Sequence, residues 1–363
     1  MSCSITIVIP NRNRDLRTVK RSLDSINQQL TDATKLVIID YGSEVNYQSK
    51  LQKLTDSFSS VDLILCPTQG QLWNKSRCIN IALKTCSTSH LMVCDMDMIW
   101  HPEFVKTQIS TFSAASSVYY TVGFMTQEES AVEKVFLDYD IKFATDEEAT
   151  GISIFPTDQL KSVNGFDEFY HGWGSEDTDV HMRLQNAGYK VSFYKSEIFF
   201  KHQWHAKSYR SKKSSLPFHP LLERINHRYL LWNQNFKKIR SNHNGQWGVS
   251  CDPKEYKELE SPNMRIKLYA TQEDMKAFTY FTSALDRSVI IELKVCPSPD
   301  ATNLKTRIKK VAGKKTAHFI SMEQANEAVL ESIVKSHRNC PYSYSFDQEK
   351  QLIHLLIYIK IDS

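Results

Sequence analysis

The sequence predicts an α/β fold, a largely parallel sheet with helices on both faces that receives its ligands at the carboxyl ends of its strands. Three observations carry that prediction. The β-branched run Ile5-Thr6-Ile7-Val8-Ile9 near the start reads as a buried parallel strand. Strand-like and helix-like stretches then alternate to about residue 122, the pattern of consecutive strand–helix–strand units. A second apolar run, Leu91 to Cys94, ends in Asp95-Met96-Asp97, which puts carboxylates where open α/β sheets bind ligands.

Taken in order, Pro10 closes the first strand. Leu16, Val19, Leu23 and Ile26 then recur at helical spacing and predict a helix over 15–30. The same reading gives strands at 35–40, 61–65 and 90–95, helices at 46–58, 73–85 and 102–112, and one strand around Ser117–Phe124. Residues 126–150 are rich in acids and read as a solvated helix plus loop or as a lid near an acceptor. A helix opens near Val180, and Gly188 turns it into another strand. Residues 201–243 hold ten Lys or Arg against one acid, Glu223, with five histidines. They read as a basic helical extension, or as a cationic patch for an anionic acceptor or membrane surface. From residue 264 strand and helix patterns restart. The expected domains are therefore 1–205, a basic extension over 206–262, and a small α+β domain over 263–363 of a common size.

Three constellations carry chemistry. Arg12 and Arg14 stand at the first strand-to-helix junction, where guanidinium forks suit phosphate; a solvated basic loop is the plain alternative. Asp95 and Asp97 share one side of an extended chain. That arrangement invites a hard divalent cation between them, although a strand boundary with two aspartates is also ordinary. In Gly172-Trp173-Gly174-Ser175-Glu176-Asp177 the glycines allow close backbone approach. Trp173 offers a flat face for a sugar ring, and a carboxylate beside it could take a hydroxyl proton. The competing reading is an acidic first turn of a surface helix.

These pieces, in this order, resemble glycosyltransferases of the GT-A fold, a Rossmann-like sheet. Pro10-Asn11-Arg12-Asn13-Arg14, Asp-x-Asp and the Gly-Trp-Gly loop with Glu176-Asp177 resemble the β-1,4-galactosyltransferase pattern. Val37 to Ser43, Trp73 to Asn80, Gly151 to Pro156 and Val163 to Asp167 are similar to blocks of the broad family-2 glycosyltransferases. The resemblance covers about residues 4–205 and implies a UDP-sugar donor. Asp40 would contact uracil or ribose, with Trp73 against the nucleoside. Arg12, Arg14 and Lys75 would offset phosphate charge, Lys75 standing where the family has Arg. Pro10, Met96 and Trp173 would line the nucleotide-sugar site. Asp97, supported by Asp95, would hold Mn2+ or Mg2+, with His202 as a further ligand and His205 as its rival; a histidine among oxygen ligands leans towards manganese. Asp177 would be the base and Glu176 would hold hydroxyls, and a single base implies inversion. The implied reaction moves a hexose or N-acetylhexosamine, galactose-type favoured, to a saccharide or lipid-linked acceptor in bacterial surface-polysaccharide synthesis. Tyr170 and His171 are further candidates at the acceptor.

Composition bounds these readings. A net charge of +4 over 363 residues does not call for nucleic acid. None of the eight cysteines forms Cys-x-x-Cys, which argues against structural zinc and for a reducing cytoplasm. No stretch reaches the about 20 apolar residues of a membrane span, so the expected setting is cytoplasmic, with peripheral contact to the inner face of the membrane as an option. Two other functions fit parts of the pattern. A haloacid-dehalogenase-like phosphatase also ends a strand in Asp-x-Asp, but it usually wants Thr or Val where Met98 stands. A non-catalytic sugar- or nucleotide-binding scaffold would be expected to have lost an acid that this chain retains.

Overall fold

The structure, a computed structural model, describes residues 4–108, 116–146, 151–206, 214, 216–243 and 246–361. These fall into two compact units, one drawn from 1–66, 73–206 and 223–250 and the other from 67–72, 207–222 and 251–363. The basic stretch is therefore not a unit of its own: 223–250 packs with the first unit and 251–262 with the second. Among the described residues no helix is long and apolar enough to cross a membrane.

The first unit runs β1 (Ile5–Asn11), α1 (Leu16–Asn27), β2 (Thr34–Tyr41), α2 (Val45–Thr55), β3 (Val61–Cys66), α3 (Lys75–Thr85), β4 (His90–Val93), β5 (Met98–Trp100) and α4 (Phe104–Gln108). It continues with β6 (Ser116–Tyr120), β7 (Val122–Phe124), α5 (Gln127–Ala131), β8 (Phe143–Ala144), β9 (Ile152–Pro156), α6 (Thr157–Ser162), α7 (Glu176–Asn186), β10 (Lys190–Tyr194), β11 (Phe200–His202) and α8 (Leu222–Asn235).

The main sheet has the order β10-β6-β9-β4-β1-β2-β3. Strands β1 to β4 pair in parallel, as the buried apolar runs predict, but β9 lies antiparallel to both β4 and β6. The sheet is thus mixed rather than wholly parallel. Its two faces follow from the period of two along each strand. Ile5, Ile7, Ile9, Leu36 and Ile38 enter one core with Val19 and Leu23 of α1. Val8, Val37 and Ile39 enter the other with Ile79 and Leu83 of α3. Asp15 starts α1 by accepting from the Thr18 amide, and Asn74 starts α3 by accepting from the Arg77 amide; each cap satisfies an orphan donor of the first turn.

Two expectations need correction here. The single strand around Ser117–Phe124 is two strands divided at Thr121: β6 stays in the main sheet, while β7 joins a second sheet ordered β5-β11-β7-β8. Asp97 is not in extended chain. It lies in a turn between β4 and β5, so it does not share a face with Asp95. The expected helix over 102–112 is seen as α4, its remainder after 108 lying outside the described residues, as do Glu147 and Glu148.

The second unit contains α9 (Pro253–Glu258), β12 (Met264–Tyr269), α10 (Gln272–Ser283), β13 (Val289–Cys296), α11 (Leu304–Val311), α12 (Met322–Ser332), β14 (Tyr342–Asp347) and β15 (Leu352–Ile359). Its sheet is ordered β12-β13-β15-β14, with β12 and β13 parallel and the other pairs antiparallel. Ile291, Leu293 and Val295 alternate inward with Ile353, Leu355 and Ile357. The α+β character is as expected, and β14, α10 and α11 add elements that the sequence reading did not include.

Candidate active site

The site lies at the carboxyl ends of β1 and β4. Lys75, first residue of α3, stands at its centre. Its Nζ is 3.0 Å from Asp95 Oδ1, 3.5 Å from Asp177 Oδ2 and 3.8 Å from Glu176 Oε1. Burial disfavours the ammonium, but Asp177, Asp95 and Glu176 outweigh it and raise the Lys75 pKa well above the ordinary lysine value. Two acidic clusters about eighty positions apart in sequence therefore meet on one cation. Gly151 forms the floor between them: a Cβ there would lie 3.1 Å from Asp95 Oδ2, 3.4 Å from Lys75 Nζ and 3.6 Å from Asp177 Oδ2.

Asp177 sits in the first turn of α7. Burial pushes its carboxyl up to about 7; Lys75 opposes the shift, and Glu176 and Asp95 add to it. Its Oδ1 is buried and meets no hydrogen-bond partner among the described residues. Ser175, just before the helix, has φ +76° and makes no side-chain cap, so Glu176 and Asp177 enter the helix from a left-handed backbone. Trp173 on the same loop is 60% exposed.

Beside this cluster Asp97 is nearly enclosed. Arg14 lies 3.1 Å from its Oδ2, His205 3.2 Å and His202 3.5 Å. Burial alone would raise its pKa; His202, His205 and Arg14 together hold it well below the ordinary aspartate value. Ligand atoms of Asp97, His202 and His205 lie within 4.8 Å of one another, and this is the metal-capable group found among the described residues. Asp97 Oδ1 and His202 Nδ1 are buried with no hydrogen-bond partner among the described residues. One carboxylate with an orphaned oxygen and two imidazoles suit a divalent transition ion. The His202 ring is stacked on Phe124 at 4.3 Å, and Phe124 on Phe143 at 4.8 Å, which sets its plane.

The structure distributes the other predicted residues as follows. Asp95 pairs with Lys75 and acts on His202 only electrostatically. Both His202 and His205 reach Asp97, rather than one alone. Asp40 is fully buried and accepts hydrogen bonds from Asn11 and Ser43 on Oδ1 and from Gln48 on Oδ2. Trp73 is edge-on to Tyr41 at 6.2 Å. Pro10 does not close β1 but pairs with Ile39 within it, and Met96, in the same turn as Asp97, is buried in the hydrophobic core. Arg12 lies near enough to Cys78 to act on it electrostatically. Tyr170 and His171 turn inward: Tyr170 donates to Asp179, and the His171 Nε2 meets Asn74.

Sequence reading missed the scaffold behind the loop. Glu168 joins Arg77, Asn80 and the Gly248 amide. Asp179 joins Arg183, Tyr170 and Asn233. From α8, Asn226 donates to the His171 and Trp173 carbonyls and Tyr229 donates to Asp167. The available signal was the regular spacing of Asn226, Tyr229 and Asn233 on one face of a predicted helix.

Residues 6–153 match the family described as glycosyl transferase family 2, and residues 131–206 match the family described as N-terminal domain of galactosyltransferase. Residues 6–206 are thus covered by two overlapping matches to glycosyltransferase families. Curated relatives similar to it include human beta-1,4-galactosyltransferase 5, 48% identical over 42 residues, which are 12% of this chain and 11% of that protein. Mouse chondroitin sulfate synthase 3 is 24% identical over 186 residues, 47% of this chain and 21% of that protein. The matches thus span a tenth to a fifth of these relatives' lengths. Among solved structures, a Pyrobaculum calidifontis mannosyltransferase in complex with GDP-Man and Mn2+ has 14% identity and a TM-score of 0.43 over 65% of this chain and 72% of its own. S. aureus TarS 1-349 has 12% identity and a TM-score of 0.46 over 93% and 91%. Both family matches of the glycosyltransferase domain include its Gly151 floor. The matched stretch stops at residue 206, just after His202 and His205, so α8 and all of the second unit except 67–72 lie beyond it.

Proposed function

We propose that the glycosyltransferase domain moves a hexosyl or N-acetylhexosaminyl group, galactose-type favoured, from a UDP-sugar to a saccharide or lipid-linked hydroxyl with inversion. The observation that carries this reading is Lys75 held between Asp95 and Asp177, which joins the Asp-x-Asp turn and the Trp173 loop in one site. Asp177 receives the acceptor's proton on its unpartnered Oδ1; a carboxyl near 7 suits a base working near neutrality. Glu176 orients hydroxyls, and exposed Trp173 offers the sugar its face. Arg12 and Arg14 attract the diphosphate, while Trp73 lies against the nucleoside. Asp40 acts on the nucleotide through Asn11, Ser43 and Gln48, which it holds. Asp97, His202 and His205 would hold Mn2+, or Mg2+, with Asp95 alongside. Such an ion supplies charge neutralisation for a departing diphosphate. The catalytic domain we assign is the unit holding most of 1–205, with α8 of the basic stretch bracing its Trp173 loop, and an α+β module follows toward the carboxyl end. Bacterial surface-polysaccharide synthesis in the cytoplasm is the setting of this reading and rests on the family-2 pattern alone.

A panel of UDP-sugars incubated with the full chain and Mn2+, scored for slow donor hydrolysis with and without chelator, tests the proposal without knowledge of the acceptor. Chelator-sensitive release of UDP from one donor is the expected result. No release from any donor, together with no UDP binding by calorimetry, would overturn it.

A further inference from the structure

Helix α8 has two faces of different chemistry. Asn226, Tyr229 and Asn233 point to the Trp173 loop and its supports. The opposite stripe steps by four through Arg224, Arg228, Trp232 and Phe236, and all four are exposed. Trp232 is 63% and Phe236 86% exposed. At the helix end Lys237 adopts φ +48°, and Lys238 N returns to the Asn233 carbonyl. Phe236 and Lys237 of that turn are exposed, as are Ile239 and Arg240 after it. No acid occurs between Glu223 and Asp252.

We infer that this face is a docking surface for an anionic lipid bilayer. Exposed Trp and Phe at the end of a cationic helix are the pattern of an interfacial helix, whose aromatic side chains enter the headgroup boundary while Arg and Lys meet anionic lipid. A soluble polyanion would need only the cations; it gives no account of two large aromatic side chains left in water beside them. The helix is about 10–12 Å across, so the bilayer would lie one helix thickness from the backbone that carries Trp173. The docking is independent of the transfer reaction. The added consequence, an acceptor presented at the bilayer, rests on the proposed function.

The test is flotation of the full chain with phosphatidylglycerol-containing vesicles and with pure phosphatidylcholine vesicles, without donor or metal. Binding to the first and not the second is expected, weakening with salt. Trp232→Ser with Phe236→Ser, and separately Arg224→Gln with Arg228→Gln, are each expected to weaken it roughly tenfold or more. Their circular dichroism and urea midpoints should match those of the parent, because none of the four side chains is buried. The inference fails if the parent does not float, or if neither pair changes flotation. It also fails if only the arginine pair matters and dextran sulfate binds as tightly as the vesicles, which would identify a soluble polyanion as the partner.

Discussion

Lys75 Nζ lies 3.5 Å from Asp177 Oδ2, across an interval of 102 residues. The contact ties the first turn of α3 to the first turn of α7. It also moderates the loop carboxylate, whose burial would otherwise drive it further towards the neutral acid.

The pH dependence follows from that contact. Asp177 is raised to about 7 in the folded state from an ordinary 3.8, so the fold binds more protons than the unfolded chain between those values. Its contribution to stability is therefore most favourable at low pH and is lost as pH rises from about 4 to 7. On the activity side, donor-to-acceptor transfer should rise with pH along a limb near 7. Lys75→Met removes the opposing cation and should move that limb upward, while Asp177→Asn should abolish transfer. Profiles of kcat/KM against pH check both, and an unmoved limb in Lys75→Met would remove Lys75 from this role.

Metal affinity separates the two aspartates. Asp97→Ala, His202→Ala and His205→Ala should each weaken Mn2+ binding by about a hundredfold or more, as loss of one of three protein ligands implies. Asp95→Asn should cost about tenfold or less, since Asp95 is held by Lys75. Titration of Mn2+ by electron paramagnetic resonance reads this directly. Equal losses at 95 and 97 would show that both carboxylates ligate.

Gly151→Ala should damage the site while sparing the fold. The added methyl meets Asp95 Oδ2 at 3.1 Å, closer than ordinary contact, and must displace it by tenths of an ångström, while the same methyl reaches Lys75 Nζ at 3.4 Å. Small displacements of catalytic groups cost about ten- to a hundredfold in rate. A fall in kcat with an unchanged urea midpoint is expected, and undiminished kcat would show that the floor tolerates a side chain.

The loop's support is a matter of stability. Asp179 and Arg183 are both fully buried with Nε 2.6 Å from Oδ2. Arg183 also donates to the Val163 and Gly165 carbonyls. Asp179→Ala leaves a buried guanidinium without its hydrogen-bonded carboxylate, with Asp167 acting only at longer range, and should cost about 3–5 kcal/mol, read as a lower urea midpoint. Arg183→Met with Asp179→Leu should recover much of that loss, because neither substitution leaves a buried charge.

Local chemistry explains what could be read early. The buried runs of β1, β2 and β4 are apolar on both faces, so composition alone announces a covered sheet. Asp15 and Asn74 mark helix starts because their side chains reach the nearest free amides. Thr121, by contrast, divides one β-rich run between two sheets, and nothing local distinguishes it from its neighbours. The Asp-x-Asp reading assumed extended chain and gave both carboxylates one side; the turn after β4 sends them to different partners.

Residue type and order along the chain determined the α/β class, the glycosyltransferase resemblance and the pool of acids, histidines and arginines available to a site. Only the tertiary structure decided that Lys75 joins Asp95 to Asp177, that both His202 and His205 turn to Asp97, and that α8 braces the Trp173 loop. The physical reason is range. Strand and helix preferences act over a few residues, whereas a charge feels whatever the folded chain brings within a few ångströms, however distant that partner is in sequence.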